Sequence, residues 1–291
     1  MADRLPGRVV WLGTPAEEAG SGKEFMAREG AFDGIDAAIM VHPFTYDLAD
    51  TVFLGRRQLR ATFHGLTSHA SAQPFMGRNA LDAANLAYTG VGLFRQQMPP
   101  TDRVHCVVSE GGQRPSVIPD RAELFFYLRS QYPQSLKLLS ARLEEIMRGA
   151  ALMAGCTVTL TWDEVPPYLP LRANAPLSQV WNRRYGDRGH AMVSPDVIPS
   201  TFAASTDFGN ISYRMPGLHA MVKIADPELS LHTREFAAAA VTPEGDQVLL
   251  DAATSLAEVA ADYLFDPELR DQVSADFAAA GGAIDVPAYF D

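Results

Sequence analysis

Two acidic side chains and a histidine stand where buried strands of the sequence are expected to end. Glu17 and Glu18 follow the apolar run 9–12, and His42 follows a second apolar run, 35–41. Open α/β sheets gather ligands at the carboxyl ends of their strands, so these side chains are expected to lie near one another. One carboxylate of such a pair can bind a metal while the other transfers protons. Most Glu-Glu pairs are solvated and most strand-end histidines are polar caps, but their combination in one unit favours the hypothesis of a metal site.

Spacing argues against two other kinds of catalytic site. The segment Gly20-Ser21-Gly22-Lys23 looks like the end of a phosphate-binding loop, but that motif needs glycine at position 17 and serine or threonine after the lysine. The chain has glutamate at both places. No Gly-x-Ser-x-Gly sequence occurs, so a serine hydrolase of the usual α/β type is unsupported.

Composition and charge narrow the class of protein. The 291-residue chain is 47% hydrophobic and 20% charged, which is typical of one or two packed domains. Its net charge of -11 argues against nucleic-acid binding, because an acidic chain repels phosphate backbones. No apolar stretch reaches the roughly 18 residues that cross a bilayer, and the first residues lack the apolar core of a secretory signal. Cys106 and Cys156 match no disulfide framework or zinc motif. We therefore expect a cytoplasmic enzyme or binding protein without membrane contact.

A strand-helix-strand order is expected to position these polar residues. Runs 9–12 and 35–41 have the continuous apolar character of strands buried on both faces, and residues 20–29 have helical character. Such a βαβ unit belongs to a parallel α/β sheet. Because the first strand would begin almost at residue 1, we expect that an upstream portion is missing.

The middle of the chain follows a different pattern. From about residue 57 to 165, strand-like and helical segments follow the order β-α-β-β-α-β, the ferredoxin-like arrangement. A proline-rich linker at 166–170 precedes a return to α/β character. The predicted fold class is therefore α/β, with one α/β domain formed by residues 1–56 and 169–291. A small α+β domain at 57–168 interrupts it.

Six motifs occur in the order found in the dizinc aminoacylase and carboxypeptidase family of metallopeptidases. They are Gly13–Glu18 with Gly20–Lys23, Met40–Pro43, Gly65–Ala70 with Gly77–Ala83, Val117–Asp120 leading to Arg129, Ser205–Asn210, and His232–Phe236. Each alone is weak, but together they are specific. The chain resembles the amidohydrolase branch, with aminobenzoyl-glutamate hydrolase and the aminoacylase-like dipeptidases. That family has a zinc domain interrupted by a ferredoxin-like lid that often forms dimers, in agreement with the layout above.

The resemblance assigns roles by position in the motifs. It implies that Glu17 is the general base and that Glu18, His42 and His232 are metal ligands. Zinc acidifies a bound water, and a free carboxylate nearby can take the proton during attack on an amide carbonyl. Without the resemblance, a histidine capping the following helix would be the first interpretation of His232.

Two residues of the central domain receive substrate-binding roles from the same resemblance. His69 would stabilise the oxyanion of the tetrahedral intermediate. Arg129 would hold the carboxylate of the substrate, a role that suits its planar fork of donors. Without the resemblance, an arginine at a strand end is usually a solvated charge.

Two functional hypotheses follow. The first is a metal-dependent amidohydrolase or peptidase that cleaves an N-acyl amino acid, a dipeptide or an aminobenzoyl-glutamate-like amide. It would use two divalent metals, zinc or alternatively manganese or cobalt, and form a homodimer through the lid. The earliest family motif, which carries a histidine and a bridging Asp or Cys, is absent, so impaired activity is expected. The second hypothesis is an inactive fragment that retains a dimerising, carboxylate-binding lid.

Overall fold

The computed structural model describes residues 5–194 and 204–290. The chain forms two compact units. Met1–Phe53 and Leu171–Asp291 make up the discontinuous unit, and Leu54–Pro170 make up the inserted unit. No helix among the described residues is both long and apolar enough to cross a membrane.

The discontinuous unit has a parallel pair of strands covered by helices. Strand β1 (Ala38–Phe44) pairs with β6 (Gly217–Lys223), with Met40 opposite His219 and His42 opposite Met221. The helices of this unit are α1 (Glu17–Gly20), α2 (Gly22–Arg28), α5 (Ala175–Gly186), α6 (Phe208–Ser212), α7 (Arg234–Ala239), α8 (Pro243–Phe265) and α9 (Pro267–Ala279). Trp181, Leu218 and Val259 belong to its main hydrophobic core.

The inserted unit is an antiparallel four-stranded sheet with two helices. Its elements are β2 (Gly55–His64), α3 (Ala80–Phe94), β3 (Arg103–Glu110), β4 (Arg121–Ser130), α4 (Pro133–Met153) and β5 (Thr157–Trp162). The strand order is β3-β4-β2-β5, and every pairing is antiparallel. This is the ferredoxin-like arrangement predicted from the sequence, and the predicted fold class is confirmed.

Hydrophobic periodicity explains why these segments fold as they do. Along β4, Leu124, Phe126 and Leu128 alternate with other residues and are fully buried. On α4, Leu143 and Met147 are four residues apart and fully buried on one helix face. Truncating such a side chain to alanine typically costs about 2–5 kcal/mol, so this core fixes the frame on which polar residues of the sheet are held.

The prediction of a buried strand at residues 9–12 was wrong. The segment has no strand structure, and Val9 and Trp11 are 66% and 88% exposed. An apolar run shows only that a segment can be buried, whereas a strand also needs a hydrogen-bonding neighbour. Within the described residues, β1 pairs with β6 alone, and the 9–12 segment takes no part in the sheet.

Candidate active site

Glu17 and Glu18 lie in a tight turn whose backbone is strained at both ends. Ala16 before the turn and Ser21 after it have φ values of 59° and 54°, in the left-handed region. Non-glycine residues are uncommon there, and such conformations are concentrated at functional sites. Gly22 is required by packing, because a Cβ at this position would lie 1.8 Å from the carbonyl oxygen of Pro15.

A buried ion pair ties α2 to the segment before α6. The Lys23 Nζ donates to Asp207 Oδ1 at 2.8 Å, and the Lys23 backbone N donates to Asp207 Oδ2 at 2.9 Å. The two side chains are 6% and 0% exposed. A second buried carboxylate, Glu24, accepts hydrogen bonds from Asn210 and Arg214, which join the same two helical segments. These contacts hold the turn that carries Glu17 and Glu18 against residues nearly 190 positions away in sequence.

Glu17 lies in an electrostatic environment that favours its protonated form. Burial is the largest cause that raises the pKa of this carboxyl, and the negative charges of Asp207 and Glu18 raise it further. Lys23 and a hydrogen bond from Thr206 act in the opposite direction. A carboxylate with a raised pKa is better matched to proton transfer near neutral pH than an ordinary glutamate.

Glu18 and His232 meet at the surface of the discontinuous unit. The distance from Glu18 Oε2 to His232 Nδ1 is 3.9 Å, and the two side chains are 72% and 74% exposed. His232 has a φ of 59°, which places it in the left-handed region just before Thr233, the N-cap of α7. Carboxylate and imidazole groups at this separation are suited to share a cation.

His42 is held in a different way, beside a second histidine. Its Nδ1 lies 2.7 Å from the carbonyl oxygen of Pro43, and its ring stacks on that of His219 with 6.1 Å between centroids. His219 is buried, and this burial, followed by the proximity of His42, lowers its pKa to about 3. His219 is therefore a neutral residue of the core at ordinary pH.

The predicted metal ligands are brought together only in part. The structure places Glu18 beside His232, whereas His42 contacts the His219 ring. Within residues 5–194 and 204–290, no group of three His, Cys, Asp or Glu side chains is arranged to hold a metal ion.

In the inserted unit, His69 has one ring nitrogen fixed by the backbone. Its Nδ1 accepts hydrogen bonds from the backbone N–H groups of Ser71 and Ala72, at 3.3 and 3.2 Å. In the neutral ring the proton must then be on Nε2, since Nδ1 acts as an acceptor. The exposed His69 is thus prepared to donate a hydrogen bond from Nε2.

Arg129 lies near the end of β4 with other arginines across the sheet. Its register partners are Arg56 on β2 and Arg103 on β3. Burial lowers the pKa of the Arg129 guanidinium, and the positive charge of Arg56 lowers it further. No hydrogen-bond acceptor for the buried Arg129 Nε exists among the described residues. The environment therefore favours an anion beside Arg129.

Sequence reasoning assigned no role to two residues of the candidate site, Lys23 and Asp207. Lys23 was part of a motif excluded as a phosphate loop, and Asp207 belonged to a family motif without an assigned role. Only the packing of α2 against α6 and the segment before it brings Lys23 and Asp207 together beside Glu17. A sequence signal was available for Asp207 alone, as a carboxylate within a recognised motif.

Comparisons with known proteins cover both units. Residues 54–152 match the peptidase dimerisation domain. An Xaa-Arg dipeptidase from Mus musculus is 37% identical over 272 residues, which is 94% of this chain and 63% of that protein. One of the p-aminobenzoyl-glutamate hydrolase polypeptides of Escherichia coli K12 is 37% identical over 169 residues, 57% of this chain and 35% of the relative.

A solved structure shows the same fold. A dinuclear metal-binding peptidase of the M20 family from Bacillus subtilis superposes with a TM-score of 0.60 at 17% identity, covering 86% of this chain and 64% of the other. This chain spans less than two thirds of the length of each of these relatives.

Proposed function

The chain is related to the M20 metallopeptidases, as its six motifs predicted, and on this premise we propose that it is a metal-dependent amidohydrolase or peptidase. Its substrate would be an N-acyl amino acid, a dipeptide or an aminobenzoyl-glutamate-like amide. The names of the dipeptidase and the aminobenzoyl-glutamate hydrolase support this class of reaction. The observation that carries the proposal is the turn that holds Glu17, a carboxyl of raised pKa, next to Glu18 and its neighbour His232.

We assign each residue a role in amide hydrolysis. Glu17 would take a proton from the attacking water and deliver it to the leaving amine, because its raised pKa suits both transfers. The Lys23–Asp207 pair would fix the turn that carries Glu17. In the inserted unit, the Nε2–H of His69 would stabilise a developing oxyanion, and Arg129 would bind the carboxylate of the substrate.

The described residues do not fit a complete divalent-metal centre. Glu18 and His232 are of the types that zinc takes, and ligands of a tetrahedral zinc lie about 3.4 Å apart, close to the 3.9 Å observed. A catalytic zinc needs three protein ligands, however, and only these two donors meet in the part of the chain that the structure describes. The roles given above are therefore those of the chain's own side chains. The assignment of His42 to a second metal and the identity of the metal as zinc, manganese or cobalt stay predictions.

This shortage of donors favours a second candidate function. The chain would then be inactive and would retain a dimerising, carboxylate-binding inserted unit. Since residues 54–152 match a dimerisation domain, we propose a homodimer in either case. Strand β3 is the better edge for pairing, because its Val107 and Val108 are exposed apolar residues, whereas the other edge, β5, exposes Thr157, Thr159 and Thr161.

A hydrolysis screen distinguishes the two functions. The chain, supplied with Zn²⁺, Mn²⁺ or Co²⁺ in turn, is incubated with N-acyl amino acids, dipeptides and aminobenzoyl-glutamate, and release of amine is measured. An enzyme should lose turnover in Glu17→Gln and keep it in Glu29→Gln, a matched change at an exposed residue of the same segment. Absence of hydrolysis with every metal would support the inactive form. The cytoplasmic location expected from the sequence stays a prediction.

A further inference from the structure

A row of three arginines crosses one end of the sheet in the inserted unit. Arg56 on β2 is the register partner of Arg129 on β4, which in turn is the partner of Arg103 on β3. Arg103 donates to the carbonyl oxygens of Pro100 and Asp102. The Arg56 and Arg129 guanidinium groups share one neighbour, the ring of Tyr127, with their Cζ atoms 5.4 and 5.8 Å from its centroid.

Arg56 is almost completely buried and forms no salt bridge with a carboxylate among the described residues. It is 6% exposed, and its guanidinium lies over the rings of Tyr168 and Tyr127, at 4.1 and 5.4 Å from their centroids. Its Nε and Nη2 atoms are buried and have no hydrogen-bond acceptor in the part of the chain that the structure describes. A buried charge is normally paired, because removing an ion from water is costly.

Two other arginines of β2 form salt bridges with carboxylates, in contrast to Arg56. Arg57 pairs with Asp163 at 2.7 Å. Arg60, four residues after Arg56 and on the same face, pairs with Glu123 and Glu164 at 2.6 and 3.0 Å. The sheet therefore supplies carboxylates to its structural arginines, and Arg56 is an exception.

We propose that Arg56 is a second carboxylate-binding residue, which together with Arg129 holds one carboxylate of the substrate or product between their guanidinium groups. The inference rests on the proposed function, because it takes the ligand to be a carboxylate-bearing amide or its product. Within the described residues, both side chains have buried N–H donors without acceptors, and the guanidinium fork matches a carboxylate in shape. Burial is the main cause that lowers the pKa of Arg129, and the positive charge of Arg56 lowers it further. An anion placed between the two cations would relieve this second effect. Tyr127 and Tyr168 would hold the Arg56 plane in place for this contact.

Nuclear magnetic resonance of the arginine Nε–H groups tests the proposal directly. The full chain, labelled with ¹⁵N, is titrated with propionate, and propionamide serves as the uncharged control. Arg56→Gln and Arg129→Gln identify the two signals by their loss. We expect the Arg56 and Arg129 signals to shift with propionate and to stay unchanged with propionamide. Affinity for propionate should fall at least tenfold in either variant.

Two further variants separate binding from a structural role. Arg60→Gln, on the same strand and face, should bind propionate like the original chain. Arg56→Lys keeps the charge without the fork and should bind with intermediate affinity. Arg56→Gln should unfold at the same or a higher temperature than the original chain when propionate is absent, because it removes an unpaired buried charge. A lowered unfolding temperature with unchanged propionate affinity would show that Arg56 is only structural and overturn the inference.

The result is independent of turnover. If propionate binds through Arg56 and no amide is hydrolysed, the proposed enzyme fails and the carboxylate site stands. If amides are hydrolysed but the Arg56 signal does not respond to propionate, the carboxylate site fails and the enzyme stands.

Discussion

Replacing Lys23 by methionine should destabilise the discontinuous unit strongly. The change keeps the length and the apolar stem of the side chain but removes the ammonium that lies 2.8 Å from Asp207 Oδ1. Among the described residues, the fully buried Asp207 carboxylate would then keep only the backbone N–H of residue 23 as a hydrogen-bond donor. Breaking a buried ion pair by removing one partner costs about 3–5 kcal/mol, so the free energy of unfolding should fall by that amount at pH 7.

The loss should depend on pH in a defined direction. Lys23 also lowers the pKa of Glu17, so the variant should raise this pKa above its already elevated value. An acid whose pKa is higher in the folded state binds more protons there than in the unfolded state, and stability then falls as the pH rises through the interval between the two values. The difference between variant and original chain should therefore shrink as the pH is lowered from 7 towards 4.5.

The assay is urea unfolding in which hydrogen exchange of individual peptides is measured at each urea concentration. Peptides from β6 report on the discontinuous unit and peptides from β4 on the inserted unit, so the two transitions are measured separately. Lys137→Met makes the same chemical change at an exposed position of α4 and should cost less than about 1 kcal/mol. A Lys23→Met chain as stable as Lys137→Met at pH 7, or a loss of equal size at pH 7 and pH 4.5, would refute the reasoning.

Three further outcomes are expected. Glu17→Gln should raise the urea midpoint more at pH 7 than at pH 4, since the raised pKa makes ionised Glu17 unfavourable only above about pH 4.5; an equal effect at both pH values would contradict this. Metal analysis by mass spectrometry should find at most one weakly bound Zn²⁺ per chain, and this ion should be lost in Glu18→Gln and in His232→Asn. Two tightly bound ions would be incompatible with the two donors, Glu18 and His232, that meet among the described residues. Val108→Lys should weaken self-association in sedimentation experiments, whereas Leu152→Lys, at a still more exposed position of α4, should not. Equal effects of the two changes would argue against pairing through β3.

The sequence predicted strands and helices well in segments where the hydrophobic residues follow a single clear periodicity. The alternation of Leu124, Phe126 and Leu128 and the helical spacing of Leu143 and Met147 fix the strands and helices of the inserted unit, because each period exposes one face to water and buries the other. The apolar run at 9–12 was wrongly predicted to be a strand, since apolar character does not show whether a segment has a neighbouring strand to pair with.

Contacts between residues far apart in sequence limited how much of the site could be predicted. The motifs singled out Glu17, Glu18 and His232, which the structure places in one region. Nothing local in sequence indicated that Arg56 faces Arg129, because their register depends on how β2 pairs with β4, more than 70 residues later. The same holds for Lys23 and Asp207, whose partnership spans 184 residues.

The pairing of β1 with β6 has a consequence for how the protein is made. About 170 residues of chain separate the two strands, and at ribosomal speeds this corresponds to about 10 to 35 s of synthesis. During this time the inserted unit has emerged with its core-forming strands and helices and can fold, while β1 still lacks its partner. The turn carrying Glu17 is incomplete as well, because Asp207 and Arg214 emerge at nearly the same moment as β6. Nascent chains of this protein should therefore pass through a stage in which the central part resists proteases and the first 53 residues do not.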